Sequence, residues 1–371
     1  MKKSFIYSAT LALLLAGSSA FAQSGRNHTA SVNQAGISND ASVTQQRGRS
    51  NEAFVTQVGI DNGATVTQTR GRNNGAYVEQ SGAEHGATVT QTRGRRNDAV
   101  VDQRGYSNDA TIDQTGGRRN TADILQSDEH NTATISQERG RDNEAYIRQY
   151  GGEMNTAEIV QVGGRDNYAN ADQDGDLNQA YMAQTGGYNN KAWVEQDGYL
   201  NIAVTSQSGG DENIIDVDQD GSNAAMAVQS GSRNEAIIDQ YGMNGAAVVQ
   251  MGEDNLADVY QDGVMNMAVV AQVGTGNEAY VSQEDYLNTA VVQQIGEGNE
   301  AYVTQEGTLN TAAVVQSGYE NMADVHQWGE RGTAAVFQAG WDNRATIMQG
   351  GVNNTAIATQ VGMSNVATIN Q

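Results

Sequence analysis

The stretch Asn39-Asp40-Ala41-Ser42-Val43-Thr44-Gln45 carries the pattern that decides the fold. Asn, Ala, Val and Gln stand two residues apart, and the same four return at Asn51-Ala53-Val55-Gln57 and Asn62-Ala64-Val66-Gln68. The last copy is Asn365-Ala367-Ile369-Gln371. From Ala30 to Gln371 there are 31 copies; Gln keeps its slot in all 31, Ala in 30 (Ile215 is the exception), and Val or Ile in 26. Asn opens 28 of them and gives way to His28, His85 and Gly332 in the others. Self-similarity at a short fixed period is the mark of a stacked repeat architecture.

Residues two apart share one face of an extended chain, whereas a helix would scatter them around its circumference. The intervening positions take Thr, Tyr, Val, Ile and charged residues, which suit an exposed pleated surface. Only three to five residues separate each Gln from the next Asn, often with a glycine, as at Gly36, Gly59, Gly82 and Gly105. Glycine admits the positive φ of a tight reversal. The chain has no proline, so no strand loses a ladder donor. From Ala30 to Ala145 copies follow one another alternately at 11 and 12 residues, so two strands and two turns close a coil of 23 residues, shortening to 22 in the C-terminal third.

Coils stacked at strand spacing bring like residues together. The expected fold is all-β: a two-sheet β-solenoid of about 15.5 coils, two strands per coil, forming a rod about 75 Å long. Its narrow interior is Ala with Val or Ile, bounded by continuous ladders of Asn and Gln. A single such coil is unstable alone, and each added coil is more favourable than the first.

Residues 1–22 read as a secretory signal: Lys2 and Lys3, then an apolar run, then Ala20-Phe21-Ala22 as a cleavage site. Residues 23–29 read as a short lead, and residues 30–371 as the repeat. No membrane span is expected once the signal is removed. There is no cysteine, so no disulfide framework supports the exported chain. Residues 23–165 carry 15 basic and 17 acidic side chains, whereas residues 166–371 carry 4 basic and 27 acidic. That acidity excludes nucleic acid as the main partner.

The arginines cluster in the longer turns at coil spacing: Arg47 and Arg49, Arg70 and Arg72, Arg93 and Arg95, Arg118 and Arg119, Arg139 and Arg141. They line one edge, either as a solvated margin against wrong lateral pairing or as a docking strip for an anionic polymer or for the acidic half of a neighbouring rod. One sheet presents Thr65, Thr67, Thr88 and Thr90, an array resembling ice-binding solenoids that fades by Glu158 and Val160.

No catalytic constellation emerges. His28 and His85 occupy Asn slots, His130 sits in a turn and His326 faces outward. Asp216-x-Asp218-x-Asp220-Gly221 opens like a calcium loop but has Ala227 where the closing Glu belongs. Neither a metal, a cofactor nor an enzyme activity is expected. The repeat starts soon after the signal and runs to Gln371, so the strands holding Ala30, Val32 and Gln34, and Ala367, Ile369 and Gln371, are expected to be uncapped edges. Edges built from one motif complement each other head to tail, which leads to a fibre.

The string Gln-x-Gly-x-x-Asn-x-Ala-x-x-x-Gln, standing here as Gln34 to Gln45 and again as Gln305-x-Gly307-x-x-Asn310-x-Ala312-x-x-x-Gln316, resembles the curlin repeat. The chain is similar throughout its mature part to a curli fibre subunit, with about 15.5 repeats where typical major subunits have five. Residues 23–29 stand where such subunits carry a Gly/Asn-rich segment. The resemblance implies a major-subunit-like, extracellular functional amyloid at the bacterial cell surface, serving biofilm matrix and adhesion. It also implies itself as chief partner, a minor nucleator and a curli-type secretion channel. Asn39, Gln45, Asn51, Gln57, Asn62, Gln68, Asn310, Gln316, Asn365 and Gln371 would then be ladder residues of polymerisation. The competing expectation is a monomeric secreted solenoid that binds ice, glycan or calcium.

Overall fold

A computed structural model describes Leu13, Leu14 and residues 18–371, with side chains from Gln23 onward. The secretory signal expected at residues 1–22 falls outside the described residues, apart from the backbone at 13–14 and 18–22. Regular structure among the described residues is strand throughout, with no helix. The chain divides into two units: residues 1–177 with 184–186, and residues 178–183 with 187–371.

In the first unit Thr29–Ile37 pairs in parallel with Glu52–Ile60, which pairs with Gly75–Ala83, which pairs with Asp98–Tyr106. The interleaved strands Asp40–Arg49, Gly63–Thr69, Gly86–Thr92 and Asp109–Thr115 form a second stack. Pairing skips one strand each time, so two strands make a coil and sequence neighbours lie in different sheets. Like residues meet: Ala53 on Ala76, Val55 on Val78, Gln57 on Gln80. The second unit repeats the scheme, with Lys191–Tyr199 on Ile214–Gly221 and Ile202–Ser208 on Ala224–Ser232. Each unit is therefore the two-sheet β-solenoid the spacing predicts. Ala and Val or Ile fill the interior, and Ala53, Val66, Ile112 and Ile238 are fully enclosed.

Two details differ from expectation. Coil length is 23 residues between Gln45 and Gln68 and 22 between Gln338 and Gln360, as expected, but it reaches 24 between Gln137 and Gln161 and falls to 21 between Gln229 and Gln250. The turns absorb the difference, because a one-residue slip inside a strand would expose its whole apolar face. The ladder also takes in a strand that straddles the segments read as signal and lead. Ser18–Arg26 pairs with Asp40–Arg49, and Gln23 Nε2 donates to Gln45 Oε1 at 3.0 Å. In register Ser19 stands opposite Ala41 and Phe21 opposite Val43, so this strand lacks the motif's residues and escapes pattern matching.

Turn geometry explains the glycines. Gly36 and Gly59 have φ of +122° and +135°, and a Cβ on Gly36 would lie 1.8 Å from the Gly59 carbonyl oxygen. Both conformation and close stacking demand glycine there. The residue before the Asn is often left-handed without being glycine, as at Ser38 and Asp61 with φ of 55° and 56°. That geometry keeps its N–H in the stack: Asp61 donates to Ile37 O at 2.9 Å, and Glu84 to Ile60 O at 2.9 Å.

Candidate functional site

The last fixed slot of each repeat is Gln, and in the inner coils its amide lies buried between the sheets. Gln45 Nε2 donates to Gln68 Oε1 at 2.8 Å, and to the backbone oxygens of Thr29 at 3.0 Å and Asn51 at 3.1 Å. Gln57 does the same with Gln80 Oε1 at 2.8 Å and the oxygens of Asp40 and Asn62, both at 3.0 Å. In the second unit Gln316 reaches Gln338 Oε1 at 2.9 Å, Glu300 O at 2.8 Å and Asn321 O at 2.9 Å. One amide thus binds its own column and the facing sheet. Its burial makes the ladder self-enforcing, since a buried donor without a partner costs about 1–3 kcal/mol.

Asn forms a second column at the turn. Asn62 donates to Asn39 Oδ1 from N at 3.1 Å and from Nδ2 at 3.0 Å, and its Nδ2 also reaches Gly82 O at 3.2 Å. Asn310 N donates to Asn288 Oδ1 at 3.0 Å, and Asn365 N to Asn343 Oδ1 at 3.2 Å. Continuity runs through the backbone N–H, since the Nδ2 groups of Asn51, Asn74 and Asn120 are buried without a partner. The exceptions behave as their chemistry dictates. His85 N donates to Asn62 Oδ1, and its Nδ1 accepts from Asn108 N at 3.3 Å. Burial pushes this imidazole pKa down, which favours the neutral ring that can accept. Gly332 N donates to Asn310 Oδ1 at 2.9 Å, but having no side chain it offers the following Asn354 nothing.

The two columns point in opposite senses, a feature the spacing did not reveal. Gln amides donate toward the following coil, whereas Asn backbone N–H groups donate toward the preceding one. Every coil therefore has one side carrying Gln donors with Asn Oδ1 acceptors, and another carrying Gln Oε1 acceptors with Asn N–H donors.

Ala30 and Val32 are buried, and Gln34 Nε2 donates to Gln57 Oε1 at 2.7 Å. Ala367 and Ile369 are half-exposed, because Val366–Asn370 is flanked by Arg344–Val352 on one side alone. Gln371 Oε1 accepts from Gln349 Nε2 at 3.1 Å.

The arginine edge is more ordered than its sequence spacing required. Arg49, Arg72, Arg95, Arg118, Arg141 and Arg165 bridge one another in parallel at successive coils. Arg49 N donates to Gly71 O and Arg72 N to Gly94 O, both at 3.0 Å. Arg47, Arg70, Arg93 and Arg139 stand two residues earlier in left-handed geometry. Arg119 pairs with Asp142, and Arg139 with Glu138 at 2.7 Å. Arg95 beside it is the main cause holding the Arg118 pKa below its ordinary value, and the Arg118 Nε has no partner.

The second unit carries the opposite surface. Asp218 stands beside Asp239 across the strands, with Asp216 and Asp258 in the neighbouring row. Burial raises the pKa of Asp216, Asp218 and Asp258, and Asp239 is pushed up to about 6 by burial and by Asp218, Asp258 and Asp216. The Thr array borders an open trough lined by Asp40, Thr65, Thr88 and Asp109. Glu129, His130 and Glu153, on exposed turns, bring one ligand atom each within 4.8 Å of one another. Coil spacing could have signalled that group, since Glu129 and Glu153 bridge one another across successive coils.

A family model described as Curlin associated repeat matches ten stretches: residues 22–46, 45–69, 94–118, 117–151, 164–190, 222–250, 252–284, 288–318, 299–329 and 340–371. No curated protein matches the chain.

Proposed function

The chain belongs to the curlin-repeat family, and from that premise we propose that it is the structural subunit of an extracellular, curli-like amyloid fibre. The observation that carries this reading is the opposed polarity of the ladders. The two sides of a coil complement each other, and neither complements itself. A contact between chains through such sides is head-to-tail and does not close on itself. Because the repeats are interchangeable, a rung from a second chain would meet the partners an internal rung meets, and the stack continues as cross-β.

On this reading Asn39, Gln45, Asn310 and Gln316 belong to the polymer's continuous columns, and the strands bearing Gln34 and Gln371 receive neighbouring chains. Residues 1–22 direct export, a curli-type channel carries the chain out, a minor subunit nucleates it, and the fibre serves biofilm matrix and adhesion. Its role is structural rather than enzymatic.

The test follows mature protein, released from denaturant, by thioflavin fluorescence and electron microscopy. Unbranched filaments after a lag, with the lag shortened by preformed seeds, are the expected result. A persistent β-rich monomer would sink the proposal and favour the ice-, glycan- or calcium-binding solenoid.

A further inference from the structure

The arginine edge and the aspartate face are each incomplete as local structure. Arg49, Arg72, Arg95, Arg118 and Arg141 are held at one per coil by backbone bonds. Among the described residues none of these five has a carboxylate within ion-pair distance, while Arg119 and Arg139 beside them do. On the second unit Asp216, Asp218, Asp239 and Asp258 likewise have no cation at ion-pair distance among the described residues. The arginine of that region, Arg233, is already held by Asp254 at 2.6 Å.

The aspartates are interleaved with Tyr241 and Tyr260, whose rings lie 5.9 Å apart. A guanidinium stacks on such rings while bonding a carboxylate, and Arg148 already sits 5.9 Å from the Tyr146 ring elsewhere in the chain.

Both surfaces repeat at the strand spacing of about 4.8 Å, so charge can meet charge at every coil without adjustment. A soluble polyanion has no reason to share that period, whereas another copy of this chain shares it by construction. We propose that the arginine edge of the first unit docks on the aspartate face of the second unit of a neighbouring copy, joining filaments side by side. The proposal rests on the fibre reading. Attraction between exposed charges has a range of about 30 Å at 0.01 M salt and about 3 Å at 1 M. Bundling is therefore salt-sensitive, whereas the buried amide ladders that hold each filament are not.

The experiment uses assembled full-length fibres, imaged and sedimented across that salt range. Wild-type filaments are expected to bundle at low salt and separate at high salt. Two charge-reversed proteins follow: Arg72→Glu with Arg95→Glu and Arg118→Glu, and Asp216→Lys with Asp218→Lys and Asp239→Lys. Each alone should form filaments while the bundled fraction falls roughly tenfold, since several weak exposed contacts are lost together. Mixing the two kinds of filament should restore bundles, because each then offers the charge the other lacks. Bundles that persist at high salt, or in either variant alone, would overturn the proposal, as would mixed filaments that stay apart. Absence of any filament in the wild type would instead refute the fibre reading itself. Should a variant fail to assemble, the wild-type salt series still decides.

Discussion

At the residue scale the repeat behaves as a set of slots, each with a physical reason for its occupant. The Val slot is enclosed and apolar, and Thr205 stands in it at 2% exposure with its Oγ1 unpartnered. Valine has nearly the same shape without the hydroxyl, so Thr205→Val should stabilise the fold by about 1 kcal/mol. A guanidinium unfolding midpoint at or below wild type would contradict that. The Gln slot tolerates no such exchange, because its amide joins both a neighbouring coil and the facing sheet. The Asn slot is more forgiving: His85 substitutes by accepting at Nδ1. All these slots were legible in the sequence from their two-residue spacing. The direction of each bond was not, since spacing fixes which residues stack but not which atom donates.

At the element scale the strands are set by their inward residues and differ in their outward ones. The face holding Asp239 concentrates carboxylates: Asp218 stands beside it on one flanking strand, and Asp216 and Asp258 lie diagonal to it, while Tyr260 flanks it on the other side. The Asp239 pKa is raised from 3.8 to about 6, whereas an unfolded chain releases that proton near the ordinary value. Between those limits the folded face binds a proton that the unfolded chain does not. Stability should therefore be higher near pH 5 and fall as pH rises through about 6. The group is half-buried, so solvent screening reduces the effect to about 1–2 kcal/mol. Comparing wild type with Asp239→Asn isolates it from groups such as His85, whose lowered pKa acts in the opposite sense. The variant should lose most of the gain at pH 5; an unchanged pH difference would refute the assignment. The sequence showed these aspartates, but their crowding is a matter of register between coils 21 residues apart, as at Gln219 and Gln240.

At the scale of the whole molecule, the fibre proposed above would grow directionally, because the ladders are opposed. The chain has no cysteine, so single-cysteine variants give unambiguous cross-links. Ser31→Cys and Thr368→Cys occupy the same outward slot of the repeat, in the strands nearest its two ends. In fibres mixed from the two variants, oxidation should yield Ser31→Cys to Thr368→Cys dimers and few dimers of like with like. Equal yields of all three would rule out head-to-tail addition.

The sequence alone determined the strand, the turn, the coil and the identity of every stacked column, because each is local or repeats at a fixed spacing. It also separated a near-neutral part from an acidic one. Tertiary structure decided the rest. It set the direction of the amide bonds, the rung at Gln23, and the absorption of length changes in the turns. It also brought Glu129, His130 and Glu153 together, left five arginines of the edge without ion-pair partners among the described residues, and crowded the aspartates around Asp239. These depend on how one coil sits on the next, where hydrogen-bond geometry and charge spacing are resolved in ångströms rather than in residues.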